Sequence, residues 1–154
     1  MQVVSTATDA ILEEARHILD QLGKDTFIKV PVSAAGLPAI KKLSAGGVNV
    51  TATAIYSTMQ GMLAVLAGAK YIAVYFNRME NNCTDPTRVI AEIRAFIDGS
   101  GSGAKILAAS FRTPRGRLRL RERRAGRHRG RRHHPPGAGH DQHRRRGGRL
   151  PEGF

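Results

Sequence analysis

Between residues 2 and 111 the hydrophobic positions switch repeatedly between two periods. Gln2–Ser5 is a short β-like start. Over Thr8–Gly23, the apolar residues Ile11, Leu12, Ala15, Ile18, Leu19 and Leu22 recur at helical spacing, and Gly23 is a natural stop. Thr26–Val32 is strand-like. Ser33 is placed to cap a second helix that reaches about Leu43 and ends at Gly46-Gly47. Val48–Thr53 reads as a strand, Ser57–Gly68 as a helix and Tyr71–Tyr75 as a strand. Asp85-Pro86, a capping residue followed by proline in the first turn, opens a helix to about Asp98. Gly99–Gly103 is a flexible break before a last strand, Lys105–Ser110.

Five strands alternating with four helices predict an α/β protein with a parallel sheet and right-handed crossovers. A doubly wound open sheet and part of a (β/α)8 barrel both fit that order. The strand faces favour the barrel. Val48, Val50 and Ala52 share one face of their strand, while Asn49, Thr51 and Thr53 share the other. Lys29 lies with Phe27 opposite Ile28 and Val30, and Tyr75 lies with Tyr71 and Ala73 opposite Ile72 and Val74. Ser110 lies with Ile106 and Ala108. Each strand thus pairs an aliphatic face for helices with a more polar one near its carboxyl end. In a parallel barrel the second face points inward and its C-terminal positions form the active site. No Gly-x-Gly-x-x-Gly follows the first strand, which counts against a dinucleotide-binding sheet.

Composition divides the chain. Its 154 residues suffice for one ordinary domain. The net charge of +13 is not spread evenly. Residues 1–111 hold 10 Lys/Arg and 9 Asp/Glu, whereas residues 112–154 hold 15 Arg, no Lys and 3 Asp/Glu. The expected organisation is a partial barrel over residues 1–114 and an Arg/His/Gly/Pro-rich, disordered tail over 115–154. A single cysteine, Cys83, excludes a disulfide framework. The longest apolar run, Met62–Ala69, is too short for a membrane span, and no signal peptide is evident at the start. The expected location is cytoplasmic.

One residue in the strand Phe27–Val32 carries reactive potential. Lys29 sits between Ile28 and Val30, so an ammonium there is expected to lose water and to favour the neutral amine. A neutral lysine amine attacks ketones to form a Schiff base. A strand-end lysine that snorkels to solvent is the other reading of the same six residues.

The strand ends taken together resemble the transaldolase family, nearest to its fructose-6-phosphate aldolase-like branch. The matching text runs from Ile28-Lys29-Val30-Pro31-Val32 through Gly36-Leu37-Pro38-Ala39-Ile40-Lys41-Lys42-Leu43 to Thr53-Ala54-Ile55-Tyr56. It continues through Gln60-Gly61-Met62-Leu63-Ala64, Ala67-Gly68-Ala69 and Tyr75-Phe76-Asn77-Arg78. It ends with Leu107-Ala108-Ala109-Ser110-Phe111-Arg112-Thr113, so that residues 2–114 are covered. The resemblance implies a partial TIM barrel of about five parallel strands, the family's third to seventh. It implies a cofactor-free class I aldolase, or the related transaldolase of the pentose phosphate pathway, acting on sugar phosphates and dihydroxyacetone-type substrates. Lys29 corresponds to the Schiff-base lysine and Tyr75 to the aldolase-branch acid/base, where transaldolases have phenylalanine. Gln2 corresponds to a glutamine that transaldolases replace with glutamate, and Thr53 holds the water these groups orient. Arg78, Ser110 and Arg112 correspond to a phosphate clamp, in keeping with the forked geometry of arginine. The family also implies a homo-oligomer.

The text departs from the family at both ends. Family members begin with a strand bearing an aspartate and a strand ending in Thr-Asn-Pro-Ser, and neither motif occurs here. The chain lacks the residues that position the lysine, and by itself it is expected to be inactive. An opened barrel exposes strand edges and apolar surface, which invites oligomerisation. After Arg115 the text turns to Gly116-Arg117-Leu118-Arg119 and Arg131-Arg132-His133-His134-Pro135-Pro136. An arginine-rich tail pairs with nucleic-acid phosphates. The absence of lysine instead suggests GC-rich DNA read in a shifted frame. A one-nucleotide shift across His133–Ala138 permits Thr-Thr-Pro-Pro-Glu-Leu, similar to the family's eighth strand. Nucleic acid is therefore not the expected partner. His128, His133, His134, His140 and His143 lack a scaffold to fix ligand geometry, so no metal site is expected.

Overall fold

The computed structural model describes residues 1–110. The proposed tail 115–154, its five histidines, the boundary at residue 114 and Arg112 lie outside the described residues. The elements follow one another as α1 (Thr8–Leu22), β1 (Ile28–Pro31), α2 (Gly36–Ala45), β2 (Val50–Ile55) and α3 (Thr58–Leu66). They continue with β3 (Tyr71–Tyr75), α4 (Phe76–Asn81), α5 (Pro86–Gly99) and β4 (Lys105–Ala109).

All strand pairs are parallel, and the sheet order is β1-β2-β3-β4. Right-handed crossovers between sequential parallel neighbours put every connecting helix on the same side of the sheet. The core agrees with this. Ile28, Val30, Val50, Ala52, Ile72 and Val74 form one buried cluster with Ile11 and Ile18 of α1, Ile40 and Leu43 of α2, Ala64 of α3 and Ile93 and Ile97 of α5. A doubly wound sheet would need helices on both faces. The architecture is a partial β/α barrel.

The helices start where local chemistry starts them. The Asp85 carboxylate accepts from the backbone N–H of Thr87 (2.9 Å) and Arg88 (3.3 Å), with Pro86 in the first turn of α5. Ser57 caps α3 and accepts from the Gln60 N–H at 3.3 Å. Helix α3 meets α5 where Gly61 lies under Ile93 and where Thr58 donates to Glu92. No helix among the described residues is long and apolar enough to cross a membrane.

The structure corrects several boundaries. The expected fifth strand, Gln2–Ser5, is reduced to one parallel bridge between Gln2 and Lys29. It leaves the sheet because Glu14 of α1 takes the N–H groups of Val4 and Ser5. Ser33 accepts from Gly36 N–H at 2.9 Å, but it closes a turn ahead of α2 rather than capping the helix itself. Strand β2 begins at Val50 rather than Val48. Ser110 lies beyond the end of β4, with a left-handed φ of 64°. Helix α4 was not predicted, because its six residues are too few to show a period.

Gly36 is where the turn after β1 leaves no room. A Cβ there would stand 1.9 Å from the Pro31 carbonyl oxygen, a backbone atom. Gly36→Ala is expected to lower stability by about 3 kcal/mol through this overpacking. Urea denaturation checks it, and an unchanged midpoint would show that the turn relaxes without cost.

Candidate active site

With the aliphatic side chains committed to the helices, the other face of the sheet collects the polar ones. In-register pairing aligns Gln2, Lys29, Thr51, Tyr71 and Lys105 in one row across the sheet. Two residues further along each strand, toward the carboxyl ends, come Pro31, Thr53 and Ala73, and then Tyr75 opposite Ala109. Lys29 and Tyr75 are therefore on the same face. They are two strand spacings apart, about 10 Å across the sheet.

The backbone around Lys29 is held on both sides. Its N–H donates to the Met1 carbonyl (2.7 Å) and its carbonyl accepts from Val3 N–H (3.0 Å), while its strand pairs with β2. The side chain is half-buried, and Ile28 and Val30, which suggested desolvation, face the helices instead. Among the described residues the ammonium forms no ion pair.

The segment carrying Gln2 is fixed by a carboxylate. Glu14 accepts from Val4 N–H (3.0 and 3.1 Å to its two oxygens) and from Ser5 N–H (3.0 Å). The Ser5 backbone bond is the main reason its carboxyl is held below the ordinary range; partial burial opposes this, and the Ser5 hydroxyl and Val4 N–H add to it.

A β-bulge re-aims the end of β2. The register with β3 shifts between Ala52 and Ile55, and Ala54 adopts a left-handed φ of 56°. Simple alternation would set Thr53 and Ile55 on the same side. Instead Ile55 joins the helix-side core, while the fully buried Thr53 donates to the Tyr75 hydroxyl at 3.2 Å. Tyr56 follows and meets the Tyr75 ring edge-on, with centroids 5.5 Å apart and planes at 87°. Arg78, in the first turn of α4, lies over the Tyr75 ring at 5.1 Å and donates to the Tyr56 hydroxyl at 3.3 Å. The Ser110 carbonyl accepts from Asn77 N–H at 3.4 Å, which brings the end of β4 beside α4.

Of the residues singled out from the sequence, Thr53, Tyr75 and Arg78 thus form one contact cluster. Gln2 and Lys29 are neighbours in the adjoining row, and Ser110 stands at the same carboxyl end. Tyr56 and Gln60 were quoted in the matching text without a role. Their signal was the Ser57-x-x-Gln60 spacing of a capping box, which sequence reading passed over.

The sequence profile described as Transaldolase/Fructose-6-phosphate aldolase matches residues 1–120. The chain belongs to this family. It is 52% identical over 112 residues to a protein named "Probable fructose-6-phosphate aldolase" from Streptococcus pneumoniae, covering 73% of this chain and 50% of that protein. The chain therefore spans about half the length of this curated relative. Among solved structures it is similar to the 4-hydroxy-2-oxoglutarate aldolase/2-deydro-3-deoxyphosphogluconate aldolase from TTHB1, with a TM-score of 0.54 and 20% identity, covering 79% of this chain and 52% of the other. At that identity the likeness speaks for the fold.

Because folding lowers the Glu14 carboxyl value, the anchor's stabilisation is complete above the unfolded value of about 4.3 and is lost as pH falls through the lower folded value. The stability advantage over Glu14→Gln is expected to be constant near neutrality and to shrink below about pH 4. Urea titrations at several pH values measure it. A gap that does not change down to the acid transition would remove Glu14 as the anchor.

Proposed function

We propose that this chain carries the lysine-centred site of a class I aldolase, which reversibly cleaves fructose 6-phosphate to dihydroxyacetone and glyceraldehyde 3-phosphate. The observation that carries the reading is the shared face. Lys29 is in register with Gln2, one row before Thr53 and two rows before Tyr75, with the aliphatic core on the opposite side.

In this reading the Lys29 amine adds to the C2 carbonyl, and the carbinolamine loses water to give a protonated imine. Tyr75, directly or through the water, accepts the C4 hydroxyl proton, and the C3–C4 bond breaks. Its electron pair moves into the imine to form an enamine, and glyceraldehyde 3-phosphate leaves. Tyr75, directly or through a water held with Thr53 and Gln2, supplies the proton to the enamine carbon. Hydrolysis of the resulting imine releases dihydroxyacetone and the amine. Arg78 and Ser110 take the phosphate, together with Arg112.

The transaldolase alternative transfers the dihydroxyacetone unit to a second aldehyde. The Thr53–Tyr75 hydrogen bond favours the aldolase, because it uses a phenolic hydroxyl that phenylalanine lacks. The same proposal makes sugar phosphates and dihydroxyacetone the ligands, invokes no cofactor, and assigns the full-length enzyme to a cytoplasmic homo-oligomer.

Borohydride reduction in the presence of dihydroxyacetone or fructose 6-phosphate is expected to leave a covalent adduct on the peptide containing Lys29. Lys29→Met should abolish it. Mass spectrometry reads the result, and an unmodified Lys29 peptide under both substrates would refute the lysine chemistry.

A further inference from the structure

The geometry points to Tyr56 as the positioning residue that holds Arg78 ready for a phosphate. This inference rests on the phosphate role proposed above for Arg78.

Arg78 is exposed on the first turn of a short helix, where a long side chain keeps most of its rotamers. Ordering such a side chain costs rotamer entropy that a phosphate would otherwise have to meet on binding. Two contacts order it in advance. The guanidinium carbon lies over the Tyr75 ring, 5.1 Å from its centroid, and one terminal donor, Nη1, bonds the Tyr56 hydroxyl at 3.3 Å. A guanidinium has five N–H donors, so four remain for the oxygens of a phosphate, two of which a guanidinium edge can engage at once. The ring contact restrains the guanidinium carbon and the Tyr56 bond restrains one of its nitrogens, so the two together limit the rotations that either contact alone would leave open.

Tyr56 is suited to this because it is itself held on three sides. Its backbone N–H donates to the Gln60 side-chain oxygen at 2.9 Å, within the cap of α3. Its ring meets Tyr75 edge-on at 5.5 Å. The bulge at Ala54 turns the chain so that Ile55 enters the core and Tyr56 faces the site. A chain of contacts therefore runs from the helix cap through Tyr56 to the charge on Arg78. The donor half of the substrate, at Lys29, lies outside that chain.

Tyr56→Phe removes the hydroxyl and keeps the ring, so the fold and the contact with Tyr75 are retained. Inorganic phosphate is the probe, titrated while the Arg78 side-chain Nε–H is followed by nuclear magnetic resonance. Tyr56→Phe is expected to loosen the Arg78 Nε–H in the free protein and to weaken phosphate binding about fivefold. Borohydride trapping of dihydroxyacetone, which has no phosphate, should proceed at the same rate in both proteins. Equal Arg78 order and equal phosphate affinity in wild type and Tyr56→Phe would overturn the assignment of Tyr56. A wild-type protein in which phosphate leaves Arg78 unmoved, but in which Lys29 is still trapped, would overturn the phosphate role beneath it.

Discussion

A parallel sheet whose strands follow in sequence order, joined by crossovers of one hand, can be covered by its own connecting helices on only one face. That constraint organises this molecule. The aliphatic side chains of β1, β2 and β3 are spent on one cluster with residues of all five helices. Strand alternation then leaves Lys29, Thr51, Thr53, Tyr71 and Tyr75 to the other face, whether or not they touch. Parallel register adds order along the strands. Residues near the carboxyl ends share one rim, and the segments that follow β3 and β4 begin there with Arg78 and Ser110.

Alternation alone would not have assembled the contact cluster. Thr53 and Tyr56 are three positions apart, so regular pleating would send them to opposite faces. The extra residue at Ala54 breaks the parity. A left-handed φ at a residue with a Cβ costs on the order of 1 kcal/mol, and it persists because both sides of the kink are held. Ile55 is sealed into the core, while Thr53 and Tyr56 engage Tyr75 and Arg78. Bulges of this kind re-aim side chains at functional sites elsewhere.

The environment of Lys29 shows how a strand can mislead a linear reading. Its two apolar neighbours in sequence, Ile28 and Val30, are completely buried, yet against the helices. The lysine itself is half-buried and faces Gln2 and Thr51 across the ladder. Neighbours at odd spacing in a strand cannot desolvate one another. The relevant walls are the residues at even spacing and those across the sheet. The same holds for the start of the chain, where the strand expected over Gln2–Ser5 was a competition between a sheet edge and a carboxylate. Glu14 won Val4 and Ser5, and the sheet kept Gln2 and Val3.

Much of the architecture could be read directly. Helical spacing located α1, the Asp85-Pro86 pair marked the start of α5, and the aliphatic and polar faces of β1 to β3 assigned Lys29, Thr53 and Tyr75 to one side. These signals are local, since they depend on periods of two and 3.6 and on residues that satisfy helix ends. Other features depended on contacts between segments far apart in the chain. The single bridge at Gln2, the bulge at Ala54 and the packing of Tyr56 and Arg78 around Tyr75 have no local signature. Residue order determined which elements form and which faces they offer. Only the folded sheet decided which side chains meet, because strand register and one inserted residue set those distances.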